Sequence, residues 1–600
     1  METLDLVVIG AGIAGLSSAK TYHQLNNGKA LVIFDAKESV GGVWAKSGLY
    51  PELRTNNMLG TYQFPDFPMT TEQFGVKPGE HIPGIIVHEY LAAYAEKFSI
   101  ADKIRFHHKV VTAEHQDGLE GGWILTVEYN GKASKIFARK LIVATGVTSE
   151  PFLPHIDGQE EFGAPLFHGA DFLQHADTLK TTDRVTVFGG SKSAWDAVYA
   201  YGTRGVKVDW VIRESGHGAV WMAPPYVTPL KKWLEKLVSK YTRMLTWFSP
   251  CIWGFADGYN ILRNFYHGTA LGRAITNVFW SVLGNDVITL NKYDSHPELK
   301  KIKPWSHPMF TASSFSIYNY PTSFWALLTE GTVKVHIADI TGLSHRKVHL
   351  SNGTQLPADA LCCVTGWKHV PPVKFLPEGI DVDIGLPHTP SKAKLFTKEA
   401  VEKADKEILG KFPRLKDQPV QNPNLKPLLA TRGLSTTDTI NPSTPLTPWT
   451  LYRFMVPPSG RFMQTRDIAF AGICMNFSTM IMTHIQGLWI TAYFADQLPV
   501  KTIPPVDGKR DQEGKAKTLE QIQYETVLHA RFGRWRYPAG KGALLPDFVF
   551  DAVPYLDLMV GDMGLKVHRK AGWLKEATEP YGPEDYEDLI GEWVQAGEGK

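Results

Sequence analysis

The sequence predicts an α/β fold in which one domain with a parallel sheet is inserted into another. Two segments, 6–21 and 185–196, each place a β-branched run, a glycine-rich turn and the start of a helical stretch in immediate succession. A later apolar run at 468–473 is typical of a further buried strand of the first domain. We therefore predict domain boundaries at 1–175, 176–328, 329–500 and 501–600, where 329–500 returns to the first domain and 501–600 extends the chain.

The composition is that of a multidomain globular protein. Six hundred residues exceed what one hydrophobic core supports, and a net charge of +2 gives no reason to expect a nucleic-acid partner. The four cysteines have no CxxC spacing, so neither a dithiol centre nor a metal site is expected. The sequence carries neither a signal-peptide pattern nor an apolar run long enough to cross a membrane. These features predict a cytoplasmic protein.

The first glycine-rich turn, 10–15, matches a dinucleotide-binding loop. Gly10 permits the tight turn, Gly12 lets the backbone approach a pyrophosphate, and Gly15 lets helix and strand pack closely. The N-terminus of the following helix, which includes Ala14, faces the negative charge. The next strand ends in Asp35, where a carboxylate accepts hydrogen bonds from a ribose 2′-hydroxyl. The alternative is a glycine-rich turn that binds no ligand.

The segments after this unit resemble the flavin-containing monooxygenase family, the class B flavoprotein monooxygenases. They are the glycine pair Gly41-Gly42 that leads into Trp44, the pair Thr55-Asn56, and Pro65-Asp66-Phe67-Pro68. The resemblance implies that the first domain binds FAD and that Asn56 lies beside the reactive face of the flavin. An asparagine amide both donates and accepts hydrogen bonds and does not titrate. The alternative for Asn56 is a turn residue that bonds its own backbone.

The connections between the two domains also resemble those of the family. Ala144-Thr145-Gly146 is similar to the strand end at which family members leave the FAD domain, and Thr365-Gly366 to their second Thr-Gly motif, where strand and loop close over the flavin. A degenerate family fingerprint lies between them, at Phe162, Ala164, His168 and Phe172. This fingerprint places the region but does not choose the reaction. An ordinary strand-end turn is the alternative for Thr365-Gly366.

The second glycine-rich turn begins at Gly189 and resembles the same kind of loop, with Ser191 at the position of the middle glycine. Serine is small enough for close phosphate approach, and its hydroxyl, with Lys192 and Ser193 nearby, can bind phosphate oxygens. The next strand ends in Arg213, whose guanidinium favours a 2′-phosphate and therefore NADPH over NADH. The alternative for Arg213 is a surface charge at a strand end.

The segment 219–283 interrupts the second domain and is predicted to be a helical insertion. Within it, 230–248 places apolar residues at helical spacing opposite Lys232, Lys236, Lys240 and Arg243. Three interpretations are open, namely a helix in peripheral contact with a membrane, a lid over an apolar substrate path, and a helix packed on its own domain. Residues 391–430, which are rich in Lys, Glu and Pro, are predicted to be an exposed insertion.

Two further expectations come from the resemblance. The last helix of the first domain is expected to start at His484, which is either catalytic or a hydrogen-bonded structural histidine. The tail resembles that of long fungal flavin monooxygenases of specialised metabolism. The predicted cofactor-binding residues are Gly10, Gly12, Ala14, Gly15, Asp35, Gly42, Trp44, Thr55, Asn56, Val111, Ala144, Thr145, Gly146, Gly189, Ser191, Lys192, Ser193, Arg213, Thr365 and Gly366, with Asn56 also predicted to be catalytic.

The resemblance implies an enzyme that uses FAD, NADPH and O₂ and inserts one oxygen atom into an apolar small molecule. The reaction is a hydroxylation, a heteroatom oxidation or a Baeyer–Villiger oxidation. One alternative is a flavin dehydrogenase or oxidase that acts on an alcohol or a C–C bond without oxygen insertion. Another is a cofactor-binding protein that acts as a redox-sensing partner and has no catalytic activity.

Overall fold

The strands are assigned from a computed structural model, which describes residues 1–118, 120–227, 232–233, 242–389, 392–420, 422–426, 428, 446–506 and 516–598. In chain order they are β1 Glu2–Ile9, β2 Leu31–Phe34, β3 Arg54–Met58, β4 His81–Pro83, β5 Ile104–Arg105, β6 Lys109–His115, β7 Trp123–Tyr129, β8 Lys132–Val143, β9 Leu166–His168, β10 Arg184–Phe188, β11 Lys207–Ile212, β12 Trp221–Ala223, β13 Tyr226–Val227, β14 Lys232–Trp233, β15 Phe315–Ile317, β16 Val333–Ile337, β17 Ile340–Ser344, β18 Lys347–Leu350, β19 Gln355–Pro357, β20 Ala360–Cys363, β21 Lys374–Leu376 and β22 Ile468–Phe470.

The α-helices cover both domains, the insertion and the tail. In chain order they are α1 Ile13–Leu25, α2 Thr71–Phe74, α3 Gly84–Lys97, α4 Thr178–Thr181, α5 Lys192–Gly202, α6 Arg243–Thr246, α7 Asn260–Gly268, α8 Ala270–Leu290, α9 Pro297–Lys301, α10 Phe324–Thr329, α11 Lys398–Lys411, α12 Gly460–Thr465, α13 Thr479–Phe494, α14 Leu519–Arg536, α15 Ala552–Asp562, α16 Trp573–Thr578 and α17 Leu589–Glu598. None of these described helices combines the length and apolar character needed to cross a membrane.

The first domain is built on a sheet with the strand order β21-β6-β7-β8-β1-β2-β5, and β22 also pairs with β8. Strand β1 is parallel to both β2 and β8, and β22 is parallel to β8, whereas β6, β7 and β8 form an antiparallel meander. Helix α1 packs on this sheet, and α13 packs on α1, where a Cβ on Gly487 would lie 3.1 Å from the Ser17 carbonyl oxygen. The β-branched runs of β1 and β2 are buried, as the sequence predicts for parallel strands.

The second domain is built on a five-stranded parallel sheet with the order β16-β11-β10-β20-β9. All of these strands lie in the chain between β8 and β21 of the first sheet, so the predicted insertion of one domain into the other is confirmed. The boundaries at 175 and 329 are wrong, because 166–168 and 333–363 supply strands of the second sheet. A short buried strand has the same sequence pattern in any parallel sheet, so its pattern alone does not identify its partners.

The two connections between the domains run side by side. Pro151 and Trp367 form an antiparallel bridge, and the Phe152 amide donates to the Gly366 carbonyl at 2.9 Å. The Thr365 hydroxyl donates to the Phe152 carbonyl at 2.5 Å. Thr365 and Gly366 therefore join the outgoing and returning chains at the junction of the domains.

The insertion differs from the predicted basic helix at 230–248. Residues 232–233 form strand β14, which pairs with β13, and α6 spans only Arg243–Thr246. Arg243 is fully buried and ion-paired with Asp557 and Glu576 of the tail, both at 2.5 Å, so it cannot belong to a solvated or membrane-facing surface. Residues 228–231 and 234–241 lie outside the described part of the chain. Among the described residues of the insertion, the helical prediction is confirmed by the short α6 and by the longer α7 and α8.

Part of the segment 391–430, predicted as an exposed insertion, forms α11, which packs on α14 of the tail. Ala404 and Ile408 of α11 are buried, and Asp405 accepts two hydrogen bonds from Arg531, both at 2.7 Å. The prediction of an exposed insertion is therefore wrong for this helix. Its high charge reflects a solvated outer face, while small and branched residues four apart form the buried face.

Candidate functional site

The first glycine loop is folded tightly against the end of β8. Gly10 has a φ of +109°, and a Cβ atom there would lie 2.6 Å from the carbonyl oxygen of Ala144. A Cβ on Gly15 would overlap the Gly10 carbonyl, so α1 packs on β1 only with glycine at this position. Gly12 differs, because a Cβ there would meet Gly42 at an ordinary 3.5 Å. The loop therefore leaves room at Gly12 for a ligand.

The start of α1 is suited to an anion. Its N-cap is Gly12, and within the described residues no side chain caps the helix and no acid stands in its first turn. The first-turn amides, including that of Ala14, have no intrahelical acceptors because of helix geometry. Asp35 lies beside the loop, where its carboxylate accepts from the Ala11 amide at 2.7 Å and the Lys37 amide at 2.8 Å. These groups fit the pyrophosphate and ribose of a dinucleotide.

Three further predicted residues, Gly42, Trp44 and Val111, lie where the backbone departs from regular helix or strand geometry. Gly42 has a φ of +62° and opens a short 3₁₀ turn that ends at Trp44, whose indole donates to the Tyr62 hydroxyl at 3.1 Å. The pairing of β6 with β7 shifts register between Val110 and Thr112, so Val111 occupies the bulge. A bulge leaves backbone groups outside the ladder, where they can bond to another partner.

Asn56 lies on β3, where polar groups from a distant segment hold it. Its amide oxygen accepts a hydrogen bond from the buried hydroxyl of Ser316 at 3.0 Å. Asn319 donates to the carbonyl oxygens of Arg54 at 3.1 Å and Thr55 at 3.0 Å. The hydroxyl of Thr55 accepts from the Ile82 amide and donates to the Asn57 carbonyl. Asn56 is thus a fixed residue within a strand and not a turn former.

Neither Ser316 nor Asn319 was expected from the sequence to take part in the site. Ser316 lies between Phe315 and Ile317 in β15, and all three side chains are buried. A serine between two apolar residues of a strand was the available signal, because a buried hydroxyl needs a partner. Its partner, however, lies 260 residues earlier in the chain.

The exit of the first domain lies next to the first loop. The Ala144 amide donates to the Ile9 carbonyl at 2.9 Å, which joins the ends of β8 and β1. Thr145 and Gly146 follow, are half-buried, and Gly146 has a φ of +69°. The structure therefore brings Ala144, Thr145 and Gly146 together with the glycines of the first loop.

The second glycine loop repeats the arrangement of the first. Gly189 has a φ of +144°, and a Cβ there would overlap the Val364 carbonyl. Ser191 is the N-cap of α5, and among the described groups no side chain caps this helix and no acid lies in its first turn. Ser191 and Ser193 are both exposed. This loop fits a phosphate group at the carboxyl end of the second sheet.

The Lys192 side chain does not extend from the second glycine loop, where it was predicted to help bind phosphate oxygens. Its ammonium forms an ion pair with Asp196 one turn along α5 and lies 4.6 Å from the centre of the Tyr320 ring. Asp196 also accepts hydrogen bonds from Tyr50 at 3.0 Å and Tyr320 at 2.9 Å. Burial lowers the pKa of Lys192, and its attraction to Asp196 opposes this shift. Lys192 therefore anchors the helix and the segment around Tyr50 instead of projecting from the loop.

Arg213 stands directly after β11, at the predicted strand end. Its guanidinium lies 3.5 Å from the Asp339 carboxylate and donates to the Ser215 hydroxyl and the Lys426 carbonyl, each at 2.7 Å. The side chain is 17% exposed. It is therefore a held, partly buried cation and not a loose surface charge.

His484 does not start the last helix, because α13 begins five residues earlier, at Thr479. His484 is fully buried, 3.7 Å from Asp66, and among the described residues neither ring nitrogen has a hydrogen-bond partner. Burial lowers the pKa of His484 to about 4, Asp66 opposes this shift, and Lys20 adds to it. The imidazole is therefore neutral at pH 7 and is buried beside Lys20 of α1. This environment fits a structural histidine, although the expected hydrogen bond is not found among the described residues.

Comparison with known proteins agrees with this geometry. A family model described as flavin-binding monooxygenase-like matches residues 4–217. The chain is 32% identical to the FAD-dependent monooxygenase resA of Aspergillus sclerotiorum over 98% of each chain. It is 30% identical to the FAD-dependent monooxygenase rstn6 of Aspergillus nomiae, again over 98% of each chain.

Among solved structures, an oxidised steroid monooxygenase bound to NADP superposes with a TM-score of 0.56 and 14% sequence identity. The match covers 94% of this chain and 98% of the other, and it supports the two-domain fold. The sequence relatives carry the assignment of cofactor and enzyme class. The chain therefore belongs to the flavin-binding monooxygenase-like family and is an FAD-dependent monooxygenase.

Proposed function

We propose that NADPH is the electron donor of this enzyme and that one oxygen atom of O₂ enters an apolar small molecule of specialised metabolism. FAD, when bound to the first domain, supplies the chemistry of hydride acceptance and O₂ activation. The chain's own residues bind the two nucleotides, orient them toward each other and exclude water from the site. The roles of Asp35, Val111, Ser191 and Arg213 in cofactor binding are part of this proposal.

The observation that carries the proposal is the position of Asn56 between the two domains. Its strand follows Tyr50, which donates to Asp196 in the second domain, and Asn57 donates to the Phe477 carbonyl in the first. Ser316 fixes the oxygen of the Asn56 amide at 3.0 Å, so the amide NH₂ has a defined direction. A neutral, preorganised donor of this kind can stabilise charge that develops on oxygen without itself being deprotonated.

The decisive experiment is turnover of candidate apolar metabolites under ¹⁸O₂ with either NADPH or NADH. We expect one labelled oxygen atom per product molecule, together with preferential oxidation of NADPH. An unlabelled product would contradict oxygen insertion and support the dehydrogenase or oxidase alternative. Equal use of NADH and NADPH would contradict the assignment of the second site. The absence of sustained NADPH consumption with any substrate would support a non-catalytic partner.

A further inference from the structure

A turn in the C-terminal extension presents one lysine between two glycines. A Cβ on Gly540 would lie 2.5 Å from Asp547 and 2.8 Å from the Ala312 side chain, and a Cβ on Gly542 would overlap the Gly533 carbonyl. Neither position can therefore carry a side chain without a shift of its neighbours. Lys541, between them, is exposed. The turn is built so that Lys541 is its one projecting group.

Asp547 fixes this turn to the segment that carries Ser316, the hydrogen-bond partner of Asn56. Its buried carboxylate accepts from the Lys541 amide at 2.6 Å, the Ser313 amide at 2.9 Å and the Ser313 hydroxyl at 2.6 Å. Ser313 stands three residues before Ser316, the partner of Asn56. On the other side, the Met475 amide donates to the Pro546 carbonyl at 2.9 Å, which ties the turn to the first domain. The tail thus reaches the site of the two cofactors.

Hydrogen bonds join the region of Lys541 to the returning connection between the domains and to the segment after β11. The Trp449 amide donates to the Leu544 carbonyl at 2.9 Å, and its indole donates to the His369 carbonyl at 3.1 Å. Gln418 donates to the Trp535 carbonyl at 2.8 Å, and Asn422 donates to the Gly216 carbonyl at 2.9 Å. His217 belongs to the segment after β11 in the second domain, and His369 belongs to the returning connection, where it contacts the Val147 carbonyl at 2.9 Å. Burial and then Lys541 lower the pKa of both histidines, to about 4 for His369, and Arg213 also acts on His217. Lys541 therefore lies near the segment that carries Arg213 and His217, at the junction between the domains.

The Lys541 side chain reaches the protein surface. The protein around it still lowers its pKa through burial, and Asp547 opposes that shift. Unlike Arg213, which is 3.5 Å from Asp339, the Lys541 ammonium forms no ion pair with a carboxylate of the described chain. Its positive charge is therefore available to an anion.

We propose that Lys541 binds a phosphate group of the nicotinamide dinucleotide, so that the C-terminal extension completes the second nucleotide site. The inference rests on the proposed use of NADPH. It adds a third contributor, the tail, to the loop at Gly189 and the strand end at Arg213. An ammonium on a flexible stem suits a phosphate as a point charge, whereas the guanidinium of Arg213 suits paired contacts.

The test is titration calorimetry of the FAD-loaded enzyme with NADP⁺, NAD⁺ and 2′,5′-ADP, for wild type, Lys541→Met and Lys541→Arg. Lys566→Met is the matched control, because Lys566 is an exposed lysine of the same extension. We expect Lys541→Met to weaken NADP⁺ by roughly ten- to a hundredfold, the effect of one charged hydrogen bond. Lys541→Arg and the control should stay near wild type. Flavin absorbance and the melting temperature check that each variant is folded and loaded.

The outcomes separate the sources of the anion. A loss for NADP⁺ and 2′,5′-ADP but not NAD⁺ places Lys541 on the 2′-phosphate, and equal losses for both dinucleotides place it on the pyrophosphate. Unchanged NADP⁺ affinity in Lys541→Met overturns the inference, including the case in which only kcat/KM for substrate falls, since Lys541 would then bind an acidic substrate. If the wild-type enzyme binds neither NADP⁺ nor NAD⁺, the proposed use of NADPH is contradicted, and the inference about Lys541 falls with it.

Discussion

Replacing Asn56 by alanine tests the oxygen-side role that we propose for it. The structure separates two effects of this change. The first is on folding, because the buried Ser316 hydroxyl, now 3.0 Å from its acceptor, would lose its partner at a cost of about 1–3 kcal/mol. The second is on reaction, because one preorganised donor in a water-excluded site contributes about 2.7–4 kcal/mol, or ~10²–10³ in rate. Stability should fall modestly and oxygen transfer strongly.

The assay measures NADPH oxidised, product formed and hydrogen peroxide released by the purified variant. FAD content and NADPH oxidation should persist in Asn56→Ala, while product per NADPH falls and peroxide rises. Ser316→Ala is the comparison variant, because it retains the Asn56 amide but removes the bond that orients it, an effect of about 1 kcal/mol or fivefold. Wild-type coupling in Asn56→Ala would refute the argument, and the oxygen-side hydrogen bond would then have to come from another residue.

Three further predictions follow from the loops and from one buried histidine. Gly12→Val should fold, because a Cβ there lies 3.5 Å from Gly42, but should purify without yellow colour; full FAD occupancy would contradict the first-site assignment. Arg213→Ala should weaken NADPH by roughly ten- to a hundredfold and leave NADH nearly unchanged, whereas equal losses would make Arg213 purely structural. Because the pKa of His484 is lowered to about 4, its contribution to stability is complete above pH 6.5 and declines on acidification toward pH 4. The free energy of unfolding, measured in urea, should therefore fall between pH 7 and pH 5 by about 2 kcal/mol less in His484→Asn than in wild type. The same pH dependence in both proteins would contradict the role of His484.

The glycine loops were predictable because their information is local. The turns at Gly10 and Gly189 and the close packing at Gly15 belong to one strand–turn–helix unit each, although Gly10 and Gly189 also pack against Ala144 and Val364 at the ends of neighbouring strands. The position of Asp35 follows from the same unit. Insertion of one domain into the other was also predictable, since the second unit is followed by a strand of the first domain.

The features that the sequence misassigned or did not reveal mostly depend on partners that are distant in the sequence. Strands β16 and β20 have buried runs that fit either sheet, and only pairing with β11 and β10 decides between them. The bond between Asn56 and Ser316 closes a separation of 260 residues. Lys192 is different, because Asp196 stands four residues later on the same helix, a spacing that favours an ion pair and was visible in the sequence.

Arg243, the one described side chain among the four basic residues of the predicted helix, serves a different purpose from the one that their spacing suggested. Arg243 is buried against Asp557 and Glu576, and Arg536, at the end of α14, donates to the Ser249 hydroxyl at 2.8 Å. Removing one partner of a buried ion pair costs about 3–5 kcal/mol, because the other charge is left uncompensated. The insertion and the tail therefore stabilise each other as one unit. Since Arg536 comes five residues before Lys541, the same contacts help to position the turn that carries Lys541.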